Sequence, residues 1–132
     1  MPEPRFPLDL IKGLPVVAAP EEVDITNAAE LRAALVGAAE DGHTTLVVDM
    51  TGTRFCDSAG LHVLVHAHKR ARADGGELLL ALDAAEVLRI LEITGIDRLI
   101  PVFASLDEAL ARAAATADGR DQEQADSAAG HG

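Results

Sequence analysis

The chain has no tryptophan, no tyrosine and three phenylalanines. Its core must therefore be aliphatic, and stacking of aromatic side chains on nucleic-acid bases is essentially unavailable. Basic residues are scarce as well: 11 Lys and Arg stand against 22 Asp and Glu, a formal net charge of −11. A field of that sign repels nucleic acid and anionic lipid, so direct nucleic-acid or membrane binding is not expected. Partners are expected to be proteins with basic patches. There is a single cysteine, Cys56, which excludes an internal disulfide and agrees with a reducing compartment. No apolar run approaches the length of a membrane span. Residues Met1 to Lys12 include Pro2, Pro4 and Pro7 and no apolar stretch of the kind a signal peptide needs. A cytoplasmic protein is expected.

What is present is hydrophobic patterning over one domain's length. The 132 residues are 48% hydrophobic, and a chain of that size buries roughly two-thirds of its unfolded surface, so neither metal nor disulfide is needed to hold it. Phe6 to Ile11 and Leu14 to Ala19 read as two short strands joined at Gly13, an antiparallel pair with the first at an edge. A polar loop, Pro20 to Thr26, leads to a helix in which Asn27 and Glu30 have capping-box spacing; the helix ends at Gly42. Thr44 to Met50 is the third strand, and a helix with Leu61, Leu64, Val65 and Ala71 inward runs from about Ser58 to Asp74. Glu77 to Leu82 is a fourth strand, apolar nearly throughout. Asp83 and Glu86 form another capping-box-like pair, opening a helix that carries Val87, Leu88, Leu91 and Ile93 and stops at Gly95. Leu99 to Phe103 is a fifth, edge strand, since Pro101 interrupts it. Ser105 and Glu108 cap a last helix. Residues 1–5 read as a flexible N-terminus, 6–116 as one domain, and 117–132 as a disordered acidic tail with no periodicity. No internal repeat is present. The order β-β-α-β-α-β-α-β-α predicts an α/β fold: one mixed sheet of about five strands, mostly parallel, with about four helices.

In such sheets, sites form beyond the carboxyl ends of the strands. The loops before Asn27 and Ser58 both lie there, which gathers Asp24, Thr26, Thr53, Asp57 and Ser58. Ser58 stands where the strand Leu46–Met50 gives way to a helix, near the free N–H groups of its first turn. Several chemistries compete for it. A nucleophilic serine at a strand–helix elbow needs G-x-S-x-G, and Cys56 occupies the first glycine position. After it come His62, His66 and His68 on the serine's own helix, pointing along or away from its start, and His131 in the tail. His62 and His66 share a helix face, but Val63 follows where H-E-x-x-H needs Glu and no third metal ligand is evident. A phospho-aspartate receiver would use Asp49, but the fifth strand is followed by no Lys. Ser58 as a regulatory phosphoacceptor and Ser58 as a plain helix cap both fit. For an arbitrary Asp-Ser before a helix the cap is the commoner account.

The segments Val48-Asp49-Met50 and Arg54-Phe55-Cys56-Asp57-Ser58-Ala59-Gly60-Leu61 resemble the signature of STAS domains, in particular bacterial anti-sigma factor antagonists. Val23-Asp24-Ile25-Thr26-Asn27-Ala28-Ala29-Glu30-Leu31 resembles a second family segment, although Glu22 stands where that segment usually has Gly. Thr94-Gly95-Ile96 and Phe103 to Ala109 extend the similarity over about Val16 to Ala113. The resemblance implies a non-enzymatic regulator without cofactor or metal. It implies that Ser58 is phosphorylated by a partner anti-sigma factor that is also a serine kinase, and that the unphosphorylated form binds this partner and so releases a sigma factor. A phosphatase would reset the switch. Asp24, Thr26, Asn27, Thr53, Asp57, Ala59 and Gly60 would form the partner-binding surface. The other reading is a STAS scaffold or ligand-sensing module that binds a protein without a phosphoswitch.

Overall fold

Leu46, Val47 and Val48 are apolar in succession, as are Leu78 to Leu82, and such runs are stable only in strands covered on both faces. In the computed structural model, which describes residues 5–116, both runs lie inside a five-stranded sheet. The elements are β1 (Leu8–Ile11), β2 (Leu14–Ala18), β3 (Glu22–Val23), α1 (Ala28–Glu40), β4 (Thr45–Asp49), β5 (Phe55–Cys56), α2 (Ser58–Ala73), β6 (Glu77–Ala81), α3 (Ala85–Thr94), α4 (Ile96–Leu99) and β7 (Val102–Phe103). A last helix, α5, covers 106–116. The sheet order is β1-β2-β4-β6-β7; β1 is antiparallel to β2 and every other pair is parallel.

Side chains alternate across a strand, and the core divides accordingly. Val17, Leu46, Val48, Leu78, Leu80 and Leu82 pack with Leu31 and Leu35 of α1, Leu61 and Leu64 of α2, and Val87 and Leu91 of α3. Val16, Val47, Leu79 and Ala81 face the other way, onto Ala109, Leu110 and Ala113 of α5. Helices α1, α2 and α3, with Ile96 of the short helix that follows α3, thus cover one face, and α5 covers the other. Buried Glu77 fixes α5 to β6: its carboxylate accepts from Arg112 Nε and Nη2, each at 3.2 Å, and from the Thr116 hydroxyl at 2.5 Å.

The expected alternation is present, with differences of local origin. The fifth strand shrinks to Val102–Phe103 because the chain before it turns helical. Gly95 adopts φ 78°, the left-handed conformation that closes α3, and Ile100 N–H returns to the Ile96 carbonyl at 2.8 Å to form α4. Neither Asn27 nor Asp83 makes a capping box: Asn27 flanks α1 without a side-chain cap bond, and the residue flanking α3 is Ala84. Ser105 does cap, its Oγ accepting from Glu108 N–H at 3.2 Å. Ile93 is 73% exposed, since α3 buries Val87 and Leu91, four apart, and a residue two further on points well away from that face. Of the expected flexible N-terminus only Arg5 is described; it pairs with Glu30 at 2.7 and 2.8 Å. The expected tail, 117–132, lies outside the described residues.

His68 lies on the buried face of α2, where its Nδ1 accepts from Leu78 N–H at 3.1 Å. Burial is the main cause that lowers its pKa below the ordinary 6.5. The unfolded chain therefore takes up this proton more readily than the fold does. Stability from neutral His68 is fully present above pH 6.5 and is lost as pH falls through the lower folded value. The urea midpoint of the wild type should drop between about pH 7.5 and about pH 5.5, and His68→Gln should shrink that drop. An equal drop in both proteins would assign the pH dependence to other groups.

Candidate functional site

The site is assembled by a second, two-stranded sheet. After β4 the chain turns: Asp49 Oδ1 accepts from Thr51 N–H at 3.0 Å and from the Thr51 hydroxyl at 2.7 Å. Thr53 is buried, and its hydroxyl donates to the Pro20 carbonyl at 2.8 Å. From there two segments zip together. Arg54 N–H donates to the Glu21 carbonyl at 2.8 Å, β3 pairs with β5 in parallel (Glu22 with Phe55, Val23 with Cys56), and Asp57 N–H donates to the Val23 carbonyl at 3.0 Å. This ladder places the Asp24 loop against the start of α2.

Asp57 closes the junction. As the N-cap of α2 its Oδ1 accepts from Ala59 N–H at 2.9 Å and Gly60 N–H at 3.1 Å. Its Oδ2 accepts from Ile25 N–H at 3.1 Å, across the gap between the loops. One carboxylate thus caps a helix and clips the neighbouring loop. Ser58 is the first residue of α2, exposed, with no hydrogen-bond partner for its hydroxyl among the described residues. Of the first-turn N–H groups expected to be free beside it, those of Ala59 and Gly60 are occupied by Asp57.

The Asp24 loop is shaped by its own polar groups. Asp24 Oδ1 accepts from Thr26 N–H at 2.9 Å and from the Thr26 hydroxyl at 2.5 Å. These bonds, with Arg5 as a more distant aid, hold its carboxyl below the ordinary range. Asn27 is buried: its Oδ1 accepts from Asp24 N–H at 2.9 Å and its amide donates to the Glu22 carbonyl at 2.8 Å. Cys56 is buried too, and burial, with the Asp57 charge, pushes its thiol up to about 12. It is protonated at neutral pH and is no nucleophile.

Of the residues expected at a partner surface, Asp24, Thr26, Asp57 and Ala59 are brought together with Ser58 and are at least partly exposed. Asn27, Thr53 and Gly60 are buried and form the frame behind that surface, because their polar groups or backbone are consumed inside it. A Cβ on Gly60 would lie 2.7 Å from Val23 Cγ1 and 2.8 Å from Cys56 Sγ. Only glycine lets α2 approach the β3–β5 ladder this closely. Gly60→Ala should lower stability by about 1–3 kcal/mol through overpacking. Gly37→Ala, in α1 where an added Cβ meets nothing within 4 Å, should raise it by about 0.5–1 kcal/mol. Urea unfolding of both variants checks this, and opposite signs are the expected outcome.

Two exposed side chains beside Ser58 were not expected. Ile25 is 79% and Phe55 49% exposed. Ile25 hangs from the amide that Asp57 holds, and Phe55 lies in β5, three residues before Ser58. The available signal was a large apolar residue inside a polar loop: Ile25 between Asp24 and Thr26, Phe55 after Arg54.

This arrangement can be set beside known proteins. Residues 6–109 match the STAS domain family. The chain belongs to that family. It is 32% identical over 107 residues to the putative anti-sigma factor antagonist BtrV of Bordetella bronchiseptica, covering 81% of this chain and 92% of that protein. It is 34% identical over 83 residues to the anti-sigma-B factor antagonist of Bacillus subtilis, covering 63% and 75%. The crystal structure of an anti-sigma factor antagonist from Mycobacterium paratuberculosis superposes with a TM-score of 0.75 at 25% identity, covering 82% of this chain and 92% of that one. The chain is thus a STAS domain of the anti-sigma factor antagonist type. No helix among the described residues is long and apolar enough to cross a membrane.

Proposed function

We propose that this STAS domain binds an anti-sigma factor with serine kinase activity while Ser58 is unmodified, and releases it when that kinase phosphorylates Ser58. Sigma-factor-dependent transcription is thereby regulated, and a phosphatase restores the binding form. The observation that carries this reading is the state of Ser58: exposed at the first position of α2, its hydroxyl unengaged because Asp57 does the capping. A cap serine would be committed to the backbone, whereas this one is free to accept a phosphoryl group. Ile25 and Phe55 supply apolar anchors beside it, as interface centres require. Ala59 and the partly exposed acids Asp24 and Asp57 complete the surface, with Asn27, Thr53 and Gly60 behind it.

A phosphate on Ser58 adds about −1.5 to −2 charges at neutral pH. Two of the donors that would welcome it at the helix start, Ala59 and Gly60 N–H, are taken, and Asp57 repels it. At about 5 Å and an effective dielectric near 20, each unit of charge costs roughly 3 kcal/mol before screening, against at most about 2 kcal/mol from the helix dipole. The phosphate therefore stays in solvent, on the face a partner must cover, and acts by excluding it. The test is incubation with ATP and the anti-sigma kinase encoded in the same genome, followed by mass spectrometry. One phosphate on the wild type and none on Ser58→Ala is expected. Equal labelling of both proteins, or none of either, would overturn the reading.

A further inference from the structure

A groove of about 550 Å³ lies between α1 and α2. Its floor is Leu35, Leu46 and Ala71, all buried in the core. Its rim carries Arg32 from α1, His43 after it, and His62, His66 and Arg70 from α2. The last three recur every fourth residue and so share one helix face; the two imidazole rings stand 6.4 Å apart. In a chain of net charge −11, this rim has a single acid, Asp74, at the far end of α2. Both arginines are uncommitted: the arginine ion pairs among the described residues are Arg5–Glu30 and Arg112–Glu77. Arg70 follows Ser58 by three turns of the same helix, so the groove is a place distinct from the Asp24–Ser58 surface.

We infer that this groove binds a small amphiphilic carboxylate, with its aliphatic body on the partly exposed Val36, Ala39, Val63 and Ala67 above that floor and its carboxylate held by Arg32 and Arg70. The volume falls in the range of small-molecule sites, about 300–1,000 Å³, and an apolar floor with a few convergent polar groups is their usual makeup. Guanidinium groups suit the head because they grip a carboxylate through paired charge-assisted N–H···O bonds. The basic rim on an otherwise acidic molecule selects an anion over a neutral or cationic amphiphile. The inference does not depend on phosphorylation of Ser58.

The test is an NMR titration of the full-length protein with octanoate, octanol and inorganic phosphate. Octanoate should shift the imidazole signals of His62 and His66 and the methyl signals of Leu35 and Val63, with saturation. Octanol should bind at least about tenfold more weakly, since tenfold corresponds to about 1.4 kcal/mol, within reach of one charge-assisted hydrogen bond. The double variant R32A/R70A, altered only at surface positions, should lose that advantage for octanoate and leave octanol unchanged. Equal binding of octanol and octanoate by the wild type, the same shifts with phosphate alone, or saturating octanoate shifts confined to other residues would each overturn the proposal. So would shifts that follow protein concentration instead of octanoate, which would assign the groove to a second copy of the chain, or the absence of saturable shifts.

Discussion

Ser58→Asp is expected to weaken binding of the anti-sigma partner by at least about a hundredfold, or about 2.8 kcal/mol, and to leave the fold intact. Two features of the site set the separate outcomes. The Ser58 hydroxyl makes no bond that the substitution removes, and an acid in the first turn of a helix is favoured by about 0.3–1 kcal/mol. The new charge also stands beside Asp57, but at this exposed position screening reduces that repulsion to about the size of the dipole's favour, so stability should change by no more than about 1 kcal/mol. Binding is different, because the new charge sits beside Asp57 and next to the apolar pair Ile25 and Phe55. A partner that covers those side chains must desolvate an unpaired carboxylate, which costs several kcal/mol. Ser58→Ala removes the acceptor without adding charge and should bind like the wild type. Calorimetric titration of the three proteins against the purified partner makes the comparison. Unchanged affinity of Ser58→Asp would leave the domain as a constitutive scaffold.

The parts of this molecule that were readable from its sequence are those fixed by neighbours along the chain. Continuous apolar runs at Leu46–Val48 and Leu78–Leu82 announced strands covered on both faces, and the two core layers found there are the physical reason. Ser105 with Glu108 announced a cap, and the cap is made. What could not be read depends on pairing across distance. The β3–β5 ladder joins two-residue segments more than thirty positions apart, too short for any periodicity, yet with the Asp57–Ile25 clip it brings Asp24 to Ser58. The same ladder explains why Asn27 is no cap: its amide is spent on the Glu22 carbonyl and Asp24 N–H, which hold the loop that the ladder ends in. It also explains Gly60. As a letter in a motif it seemed to belong to the partner surface, whereas its missing side chain is space occupied by Val23 and Cys56. Ser58 was open to a reading as a plain cap; Asp57 makes the cap through one carboxylate oxygen and holds Ile25 N–H through the other.

That division of labour makes Asp57 the other position of large effect. Asp57→Ala leaves Ala59, Gly60 and Ile25 N–H without their acceptor. Losing the cap costs about 1 kcal/mol and losing the clip about another, so the urea midpoint should fall by the equivalent of about 2 kcal/mol. Amide exchange should quicken at Ile25, Ala59 and Gly60 together. Asp57→Asn separates the two functions. Its carbonyl oxygen can still cap the helix, but the position facing Ile25 N–H becomes an NH₂ group, a donor opposed to a donor. Exchange should then quicken at Ile25 while Ala59 and Gly60 keep their protection, with a stability loss of about half that of alanine. Partner affinity should follow Ile25 and not the helix. If the clip presents Ile25 in its bound position, both variants must order that loop on binding and should lose affinity to a similar degree, roughly tenfold, about the cost of fixing one freed residue. If instead Asp57 acts on the partner only through its charge, raised salt should abolish the difference between Asp57→Asn and the wild type, because an exposed charge is screened while an ordering cost is not. The distances favour the mechanical account: all three amides are within 3.1 Å of the carboxylate, which is therefore already occupied on the side that faces its own chain.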